Sequence, residues 1–259
     1  MFDIDPQYLQ RGTLIFIRIS GMIFSLPFFG ESVVPVQVRV LTALALAFGL
    51  MNVIPAQWGY VDVHGIFGYL TLGVQELMIG LILGYFGKLF FEGLVMAANL
   101  VGYQMGFGTA NLLLPGSDLQ INAFTALHRI LILVFFLSLS LHFIFIDGIA
   151  KSFELIPVGG FNLSAFVGEK LVRGSAEVFQ IAMQLGAPIL VALMFAMAAL
   201  GLLARTVPQM NVFTMSFPLS FFIGLGVYTS MTPFLPDWLR QFYLNKGEEL
   251  FGILRSVSP

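Results

Sequence analysis

Apolar residues fall into six long runs along this chain, separated by short stretches rich in proline, glycine and polar residues. Each run is close to or above the length of about 20 residues that an α-helix needs to cross a bilayer. Leu, Ala, Met and Phe dominate the runs without alternating polar and apolar positions, which favours helix over strand. The runs cover residues 12–29, 36–54, 70–91, 121–146, 178–203 and 212–235. The pattern predicts an all-α fold of six long hydrophobic helices in antiparallel hairpins.

The composition places the chain in the membrane class. Of its 259 residues 58% are hydrophobic and only 10% are charged, against about 25% charged residues in soluble domains. No shift in composition divides the chain, so residues 1–259 are predicted to form one integral-membrane domain. The absence of cysteine excludes disulfides and thiolate metal sites. A net charge of -2 without a basic patch gives no indication of nucleic-acid binding.

The segment between the third and fourth runs, residues 103–120, reads YQMGFGTANLLLPGSDLQ and contains no Lys or Arg. Irregular backbone at membrane depth is tolerated only where protein buries it or where it lines a wet cavity. We therefore expect this loop to point inward as a gate, with an ordinary buried turn as the alternative. Glycines supply backbone freedom, and Met and Phe supply soft apolar bulk for a seal. The predicted gate residues are Met105, Gly106, Phe107, Gly108, Leu112, Leu113, Leu114, Pro115 and Gly116.

Charged residues interrupt the apolar runs, where an unpaired charge costs a few kcal/mol. Lys88 and Glu92 stand four positions apart on one predicted helix face and are expected to pair. Glu76 has no such neighbour and is expected to reach Arg18, Arg129 or an adjoining subunit. The predicted set of buried-charge or subunit-interface residues is Arg18, Arg39, Glu76, Lys88, Glu92, Arg129, Arg205, Gln209 and Asn211. For Arg205, pairing across an interface and capping a helix end both stay open.

Small residues and the C-terminal segment indicate packing against other helices. Gly80 and Gly84 have the spacing that lets helix backbones approach closely, as do Gly102 and Gly106. Residues 237–259 form an amphipathic tail, which is expected to lie on a membrane surface or to dock on a partner helix. These features predict a subunit of a larger assembly.

Catalytic and cofactor motifs are absent from the sequence. It contains no His-Glu-x-x-His pair, serine nucleophile elbow or Gly-Lys-Ser/Thr phosphate loop. His128 and His142 are 14 residues apart, about four helical turns, which is too far for both to bind one metal. The sequence therefore argues against an enzyme and predicts no cofactor or metal.

Several blocks of the sequence resemble the FliR family of flagellar protein-export gate subunits. They are RISGM at 18–22, PFFG at 27–30, PVQVRV at 35–40, GYQMGFG at 102–108, KSFELIP at 151–157 and GLLARTVPQMNVF at 201–213. The last block is the most specific, because hydrophobicity alone does not supply its polar residues. The resemblance covers nearly the whole chain.

The resemblance implies a fold with a FliP-like part followed by a FliQ-like hairpin. It implies assembly with FliP and FliQ into a helical gate in the bacterial inner membrane, at the flagellar basal body beneath FlhA and FlhB. Unfolded proteins pass through such a gate, and the loop matching residues 103–120 is similar to the family's plug. The injectisome counterpart SctT shares this plan and is the first alternative.

Two further function classes stay open on the sequence alone. A stand-alone secondary transporter uses broken helices with paired polar sites in two related halves, and no matched halves are visible here. A membrane scaffold without a pore is the other. Purification distinguishes the transporter from the gate, because a transporter is a stable monomer that binds a small solute. A measurement of ion leak distinguishes the scaffold from the gate.

Overall fold

The computed structural model describes residues 6–26, 34–54, 65–107, 123–161, 165–207, 209 and 211–257. Within these ranges there are eight α-helices and no strand. The helices are α1 Pro6–Ser25, α2 Val36–Met51, α3 Ile66–Gln104, α4 Ala123–Ser138, α5 His142–Leu155, α6 Ala165–Thr206, α7 Val212–Met231 and α8 Leu235–Val257. A 3-10 turn, Thr232–Phe234, joins α7 to α8 without a break, which leaves seven separate helical segments. The all-α prediction is confirmed, and the count of six helices is wrong.

The fourth apolar run accounts for one of the differences. The pattern predicts one helix over 121–146, but the structure divides it into α4 and α5 with a bend of 63°. Ser140 lies at the bend with φ +58°, in the left-handed region. No Pro or Gly marks the break in the sequence, so the hydrophobic pattern alone predicts one continuous helix.

Helices α3 and α6 are longer than the apolar runs from which they are predicted. α3 has 39 residues and α6 has 42, against runs of 70–91 and 178–203. At 1.5 Å per residue α3 is about 58 Å long, well beyond the hydrocarbon thickness of about 30 Å. It also includes the first two residues of the predicted loop.

Three stretches are long and apolar enough to cross a membrane by length and composition: Ile66–Gln104, Gly168–Thr206 and Thr214–Gly252. The bent pair α4 and α5 makes a fourth if it counts as one span. Six apolar runs therefore do not translate into six membrane spans within the described ranges. One reason is length, since α2 has only 16 residues.

The chain divides into two compact units that interleave along the sequence. Unit 1 takes residues 1–91, 140–174 and 242–259, and unit 2 takes residues 92–139 and 175–241. The helices α3, α6 and α8 each contribute residues to both.

Backbone contact between α1 and α3 organises unit 1. A Cβ atom added at Gly80 would stand 2.0 Å from the Arg18 carbonyl oxygen, and one at Gly84 would stand 2.5 Å from the Met22 carbonyl oxygen. Only glycine permits two helices to come this close. The close approach predicted from the spacing of these two glycines is confirmed.

The amphipathic tail packs its apolar stripe against unit 1. Tyr243, Leu250 and Leu254 are buried. The Tyr243 ring contacts the Phe145 ring edge-on, with centroids 6.5 Å apart. The Lys246 ammonium lies over the Phe90 ring. The chain itself covers these residues of the stripe, and the expected docking of the tail on a membrane surface or a partner helix stays a prediction.

Candidate functional site at the loop stems and buried charges

The predicted gate loop is described only at its beginning, from Tyr103 to Phe107. Six of the predicted gate residues lie outside the described part of the chain: Gly108, Leu112, Leu113, Leu114, Pro115 and Gly116. The residues just before and just after residues 108–122 are described, and we call them the entry stem (Met105, Gly106 and Phe107) and the exit stem (Phe124 and His128). Both stems belong to unit 2.

The entry stem begins where α3 ends. The Met105 N–H donates to the Val101 carbonyl at 2.8 Å, and the Gly106 N–H donates to the Tyr103 carbonyl at 3.1 Å. Gly106 then has φ +93°, a conformation that glycine adopts at little steric cost and that commonly ends a helix. The sequence block GYQMGFG therefore terminates α3 and turns the chain.

Side chains of the entry stem pack on α7. Met105 is completely buried in the core of unit 2. Its side chain lies across Gly224, since a Cβ added there would stand 2.7 Å from Met105 Cγ and 2.9 Å from its Sδ. The Phe107 ring contacts the rings of Phe217 and Phe221 edge-on, with centroid distances of 6.4 and 5.9 Å. Met105 and Phe107 thus contact their own chain.

The exit stem contacts the same helix. Phe124, in the first turn of α4, packs edge-on against Tyr228 with ring centroids 4.9 Å apart. One turn later His128 Nδ1 and the Tyr228 hydroxyl are 2.8 Å apart in a buried hydrogen bond. The Thr125 hydroxyl donates to Asn99 Oδ1 at 2.8 Å and ties α4 to the end of α3.

A cavity of about 210 Å³ lies beside the exit stem within unit 2. Its polar lining residues include His128 and Tyr228, and its apolar lining residues include Val101, Phe124 and Ile189. No group of three His, Asp or Glu side chains suited to a metal occurs in the described ranges. The arrangement provides apolar packing and the buried hydrogen bond between His128 and Tyr228.

The buried charges of unit 1 come together at Arg18. Its Nε and Glu76 Oε2 are 2.5 Å apart, and both side chains are fully buried. Of the partners expected for Glu76, the structure shows Arg18. Nη1 donates to Ser152 Oγ at 3.1 Å and Nη2 donates to the Ile156 carbonyl at 3.0 Å. The guanidinium also lies 3.8 Å from the centroid of the Phe153 ring, a cation–π contact.

The other predicted charges have separate surroundings. Lys88 is exposed and Glu92 half-buried. The pairing predicted for Lys88 and Glu92 stays a prediction. Arg129 is half-buried on α4. The Arg39 guanidinium donates through Nε to the Val34 carbonyl at 3.0 Å, at the start of α2.

The polar residues Arg205, Gln209 and Asn211 lie at the end of α6, between α6 and α7, and at the start of α7. Arg205 is exposed in the last turn of α6, where a cation interacts favourably with the helix dipole. Gln209 is exposed in the turn. Asn211 is the N-cap of α7, and its Oδ1 accepts a hydrogen bond from the Thr214 N–H at 3.3 Å.

Comparison with known proteins places this arrangement in a family. Residues 9–245 match the family described as bacterial export proteins, family 1. The chain belongs to family 1 of the bacterial export proteins. The match takes in both loop stems, the Arg18 cluster and the turn at Asn211.

Relatives of this export family member are named flagellar biosynthetic protein FliR. The Bacillus subtilis protein is 33% identical over 85% of this chain and 83% of its own length. The Aquifex aeolicus protein is 29% identical over 89% of this chain and 88% of its own. The Escherichia coli K12 protein is 27% identical over 98% of this chain and 95% of its own. The resemblance to FliR is confirmed.

Sequence reasoning missed the α7 residues that hold the stems of this export family member. They are Phe217, Phe221, Gly224 and Tyr228. Their spacing of four, three and four positions is readable from the sequence as one helix face. α7 is apolar around most of its circumference, so hydrophobic periodicity does not single that face out. Ser152 and Phe153, which contact Arg18, lie 134 and 135 positions away from it and leave no local signal.

Proposed function

We propose that this chain is the FliR-type subunit of the flagellar protein-export gate, in the bacterial inner membrane at the basal body. It assembles with FliP-like and FliQ-like subunits into a helical gate and works with FlhA-like and FlhB-like components. The observation that carries the proposal is the similarity of nearly the whole chain to flagellar FliR proteins. Three membrane-length apolar helices support a membrane location.

In this proposal residues 103–120 plug the channel when no substrate is in transit. Unfolded flagellar proteins then pass after the loop gives way. A resting seal is needed because the membrane potential is worth about 2.3 kcal/mol per elementary charge per 100 mV. The loop's lack of Lys and Arg and its Met, Phe and Leu content suit a water-excluding seal.

Charged and polar residues exposed on the described chain are proposed to face neighbouring subunits. Lys88, Arg205 and Gln209 are exposed, and a charge at a buried subunit interface needs a partner. An Arg205→Glu variant should lose assembly and regain it when the opposing acidic residue of the neighbour is changed to Arg. If no reversal in a neighbour restores assembly and Arg205→Gln assembles normally, Arg205 only interacts with its own helix end.

Purification through a tag on this chain tests the assembly. We expect a complex whose mass requires FliP-like and FliQ-like subunits, and an unstable chain when they are not co-expressed. A stable monomer that binds a small solute would contradict the gate and support a stand-alone transporter. In the host, loss of the chain should abolish motility and export of flagellin. Intact motility with loss of virulence-type secretion would identify an injectisome subunit instead.

Ion conductance of the reconstituted complex tests the plug. Deletion of residues 106–118 should raise the resting leak. Substitution of Leu112, Leu113 and Leu114 by serine keeps the loop length and tests the apolar seal alone. We expect this triple variant to leak as well, while the exposed substitution Gly226→Ala leaves conductance at the wild-type value. Unchanged conductance of the deletion variant would contradict the plug and favour an ordinary turn or a scaffold without a pore.

A further inference from the structure

One face of α7 holds both ends of the loop. Phe217, Phe221, Gly224 and Tyr228 follow one another at helical spacings of four, three and four residues, so they form a single stripe. The entry stem contacts the first three of these residues and the exit stem contacts the last. We call these four residues the α7 stripe.

Gly224 provides the seat for the entry stem. The Met105 side chain occupies the space that a side chain at position 224 would fill, with Cγ, Sδ and Cε all within 3.0 Å of the added Cβ. Met105 has no exposed surface. Withdrawal of this side chain would open a void in a close-packed core and expose apolar surface. The seat therefore holds Met105 firmly.

Aromatic contacts hold the next two residues. A Cβ added at Gly106 would stand 2.8 Å from Phe217 Cδ2, so the backbone of the stem lies directly against that ring. Phe107 is edge-on to Phe217 and Phe221, which themselves stack with centroids 6.5 Å apart. Edge-to-face pairs of this kind add to the apolar burial.

Tyr228 holds the exit stem by two different interactions. Its ring packs against Phe124, and its hydroxyl is hydrogen-bonded to His128 Nδ1 at 2.8 Å. The hydrogen bond is buried, and breaking it would leave two polar groups without a partner in an apolar setting. This end is held as well as the first.

We infer that the α7 stripe is a static clamp on both stems, and that Gly224 is the residue that positions the loop. The two stems then stay on α7 in the resting and the transporting gate. The gating role rests on the function proposed above. The clamp itself is a property of unit 2.

A disulfide between positions 105 and 224 tests the clamp directly, because the chain contains no cysteine. The Met105 Cβ is not among the three atoms nearest to the added Gly224 Cβ, so the two Cβ atoms are at least 3.0 Å apart. Cγ is 2.7 Å away and one bond of about 1.5 Å from the Met105 Cβ, so the Cβ separation is at most about 4.2 Å. Disulfides need about 3.5–4.5 Å.

We expect the double variant M105C/G224C to crosslink in the majority of molecules when the assembled complex is oxidised. The matched control is M105C/G226C, because Gly226 is on the same helix with open space around it. It should crosslink little. Equal crosslinking of both pairs, or none in M105C/G224C, would overturn the clamp.

The crosslinked complex then tests whether the clamp is static. We expect M105C/G224C to secrete substrate at the same rate under oxidising and reducing conditions. Arrest of secretion on oxidation, with recovery on reduction, would show that the stem must leave α7 and would overturn the static clamp. Unchanged conductance after deletion of residues 106–118 would contradict the proposed plug. The crosslinking result tests the clamp independently of that outcome.

Gly224→Ala tests the positioning role. The methyl group displaces Met105, while alanine favours the helix over glycine, so the complex should assemble in normal yield. We expect resting conductance to rise several-fold in Gly224→Ala and to stay at the wild-type value in Gly226→Ala. Wild-type conductance in both variants would contradict the positioning role. A loss of yield in Gly224→Ala without leak in the remaining complex would assign Gly224 to packing alone, which also contradicts it.

Discussion

Arg18 and Glu76 form an ion pair between α1 and α3 that is completely buried, with Nε and Oε2 2.5 Å apart. The same guanidinium donates to the Ile156 carbonyl just after α5, so one side chain joins three helices of unit 1. Carbonyl groups at a helix end lack intrahelical partners and carry partial negative charge. The Arg18 guanidinium therefore both neutralises the Glu76 carboxylate and caps the C-terminal end of α5.

Arg18→Leu should destabilise the protein strongly. Removal of one partner leaves the other charge buried and uncompensated, which costs about 3–5 kcal/mol. Thermal unfolding of the purified complex should show a large fall in apparent Tm. The control is Asp147→Asn, which breaks the half-exposed pair with Lys151 and should cost no more than about 1 kcal/mol. The double variant Arg18→Leu/Glu76→Leu should be less destabilised than the sum of its single variants, and strict additivity would contradict the coupling.

Gly80→Ala should separate α1 from α3. The added methyl would stand 2.0 Å from the Arg18 carbonyl oxygen, and backbone cannot give way as a flexible side chain does. Overpacking of this kind costs about 1–3 kcal/mol or more. Gly73→Ala on the same helix meets only Ile17 Cδ1 at 3.5 Å and should be neutral or slightly stabilising. Equal thermal stability of the two variants would rule out the close crossing.

Ser140→Gly should stabilise the bend between α4 and α5. A non-glycine residue at φ +58° is strained by about 1–2 kcal/mol, and glycine relieves the strain at some cost in chain entropy. Ala126→Gly, at an exposed position inside α4, should instead destabilise by about 0.5–1 kcal/mol. The two apparent Tm values should move in opposite directions. A shift in the same direction would contradict the left-handed conformation.

Tyr228→Phe should weaken the exit stem without removing the ring. His128 Nδ1 loses its partner, and a buried polar group left unsatisfied costs about 1–3 kcal/mol. The control is Tyr103→Phe, since that ring is exposed in the same unit. We expect a lower apparent Tm for Tyr228→Phe only. Identical melting curves for both variants would mean that the hydroxyl contributes nothing.

Asn211→Ala should destabilise the start of α7. Loss of an N-cap side chain costs about 0.5–2 kcal/mol. Asn211→Asp should keep the stability, because the carboxylate accepts the same hydrogen bond from the Thr214 N–H. Complex yield and apparent Tm measure the effect. Recovery in Asn211→Asp supports capping as the role of this residue. If Asn211→Asp fails as Asn211→Ala does, the amide is required by a neighbouring subunit instead.

The local signals in the sequence were reliable where the cause was local. Gly80 and Gly84 predicted a close helix crossing, because their spacing and lack of a side chain are properties of one helix. The family assignment also followed from the sequence, because polar residues such as Arg205 and Asn211 are unusual in an apolar chain. The break at Ser140 was missed, because no Pro or Gly marks it.

The sequence by itself determined the helical class, the apolar character of the chain and its family, since each follows from composition, periodicity and residue order. Tertiary structure alone decided that Glu76 pairs with Arg18 and that the α7 stripe holds both loop stems. Those outcomes depend on which faces of different helices meet. In an apolar helix, the residues that pack against a neighbouring helix are no more hydrophobic than the rest. The hydrophobic pattern of the sequence therefore does not show which face makes the contact.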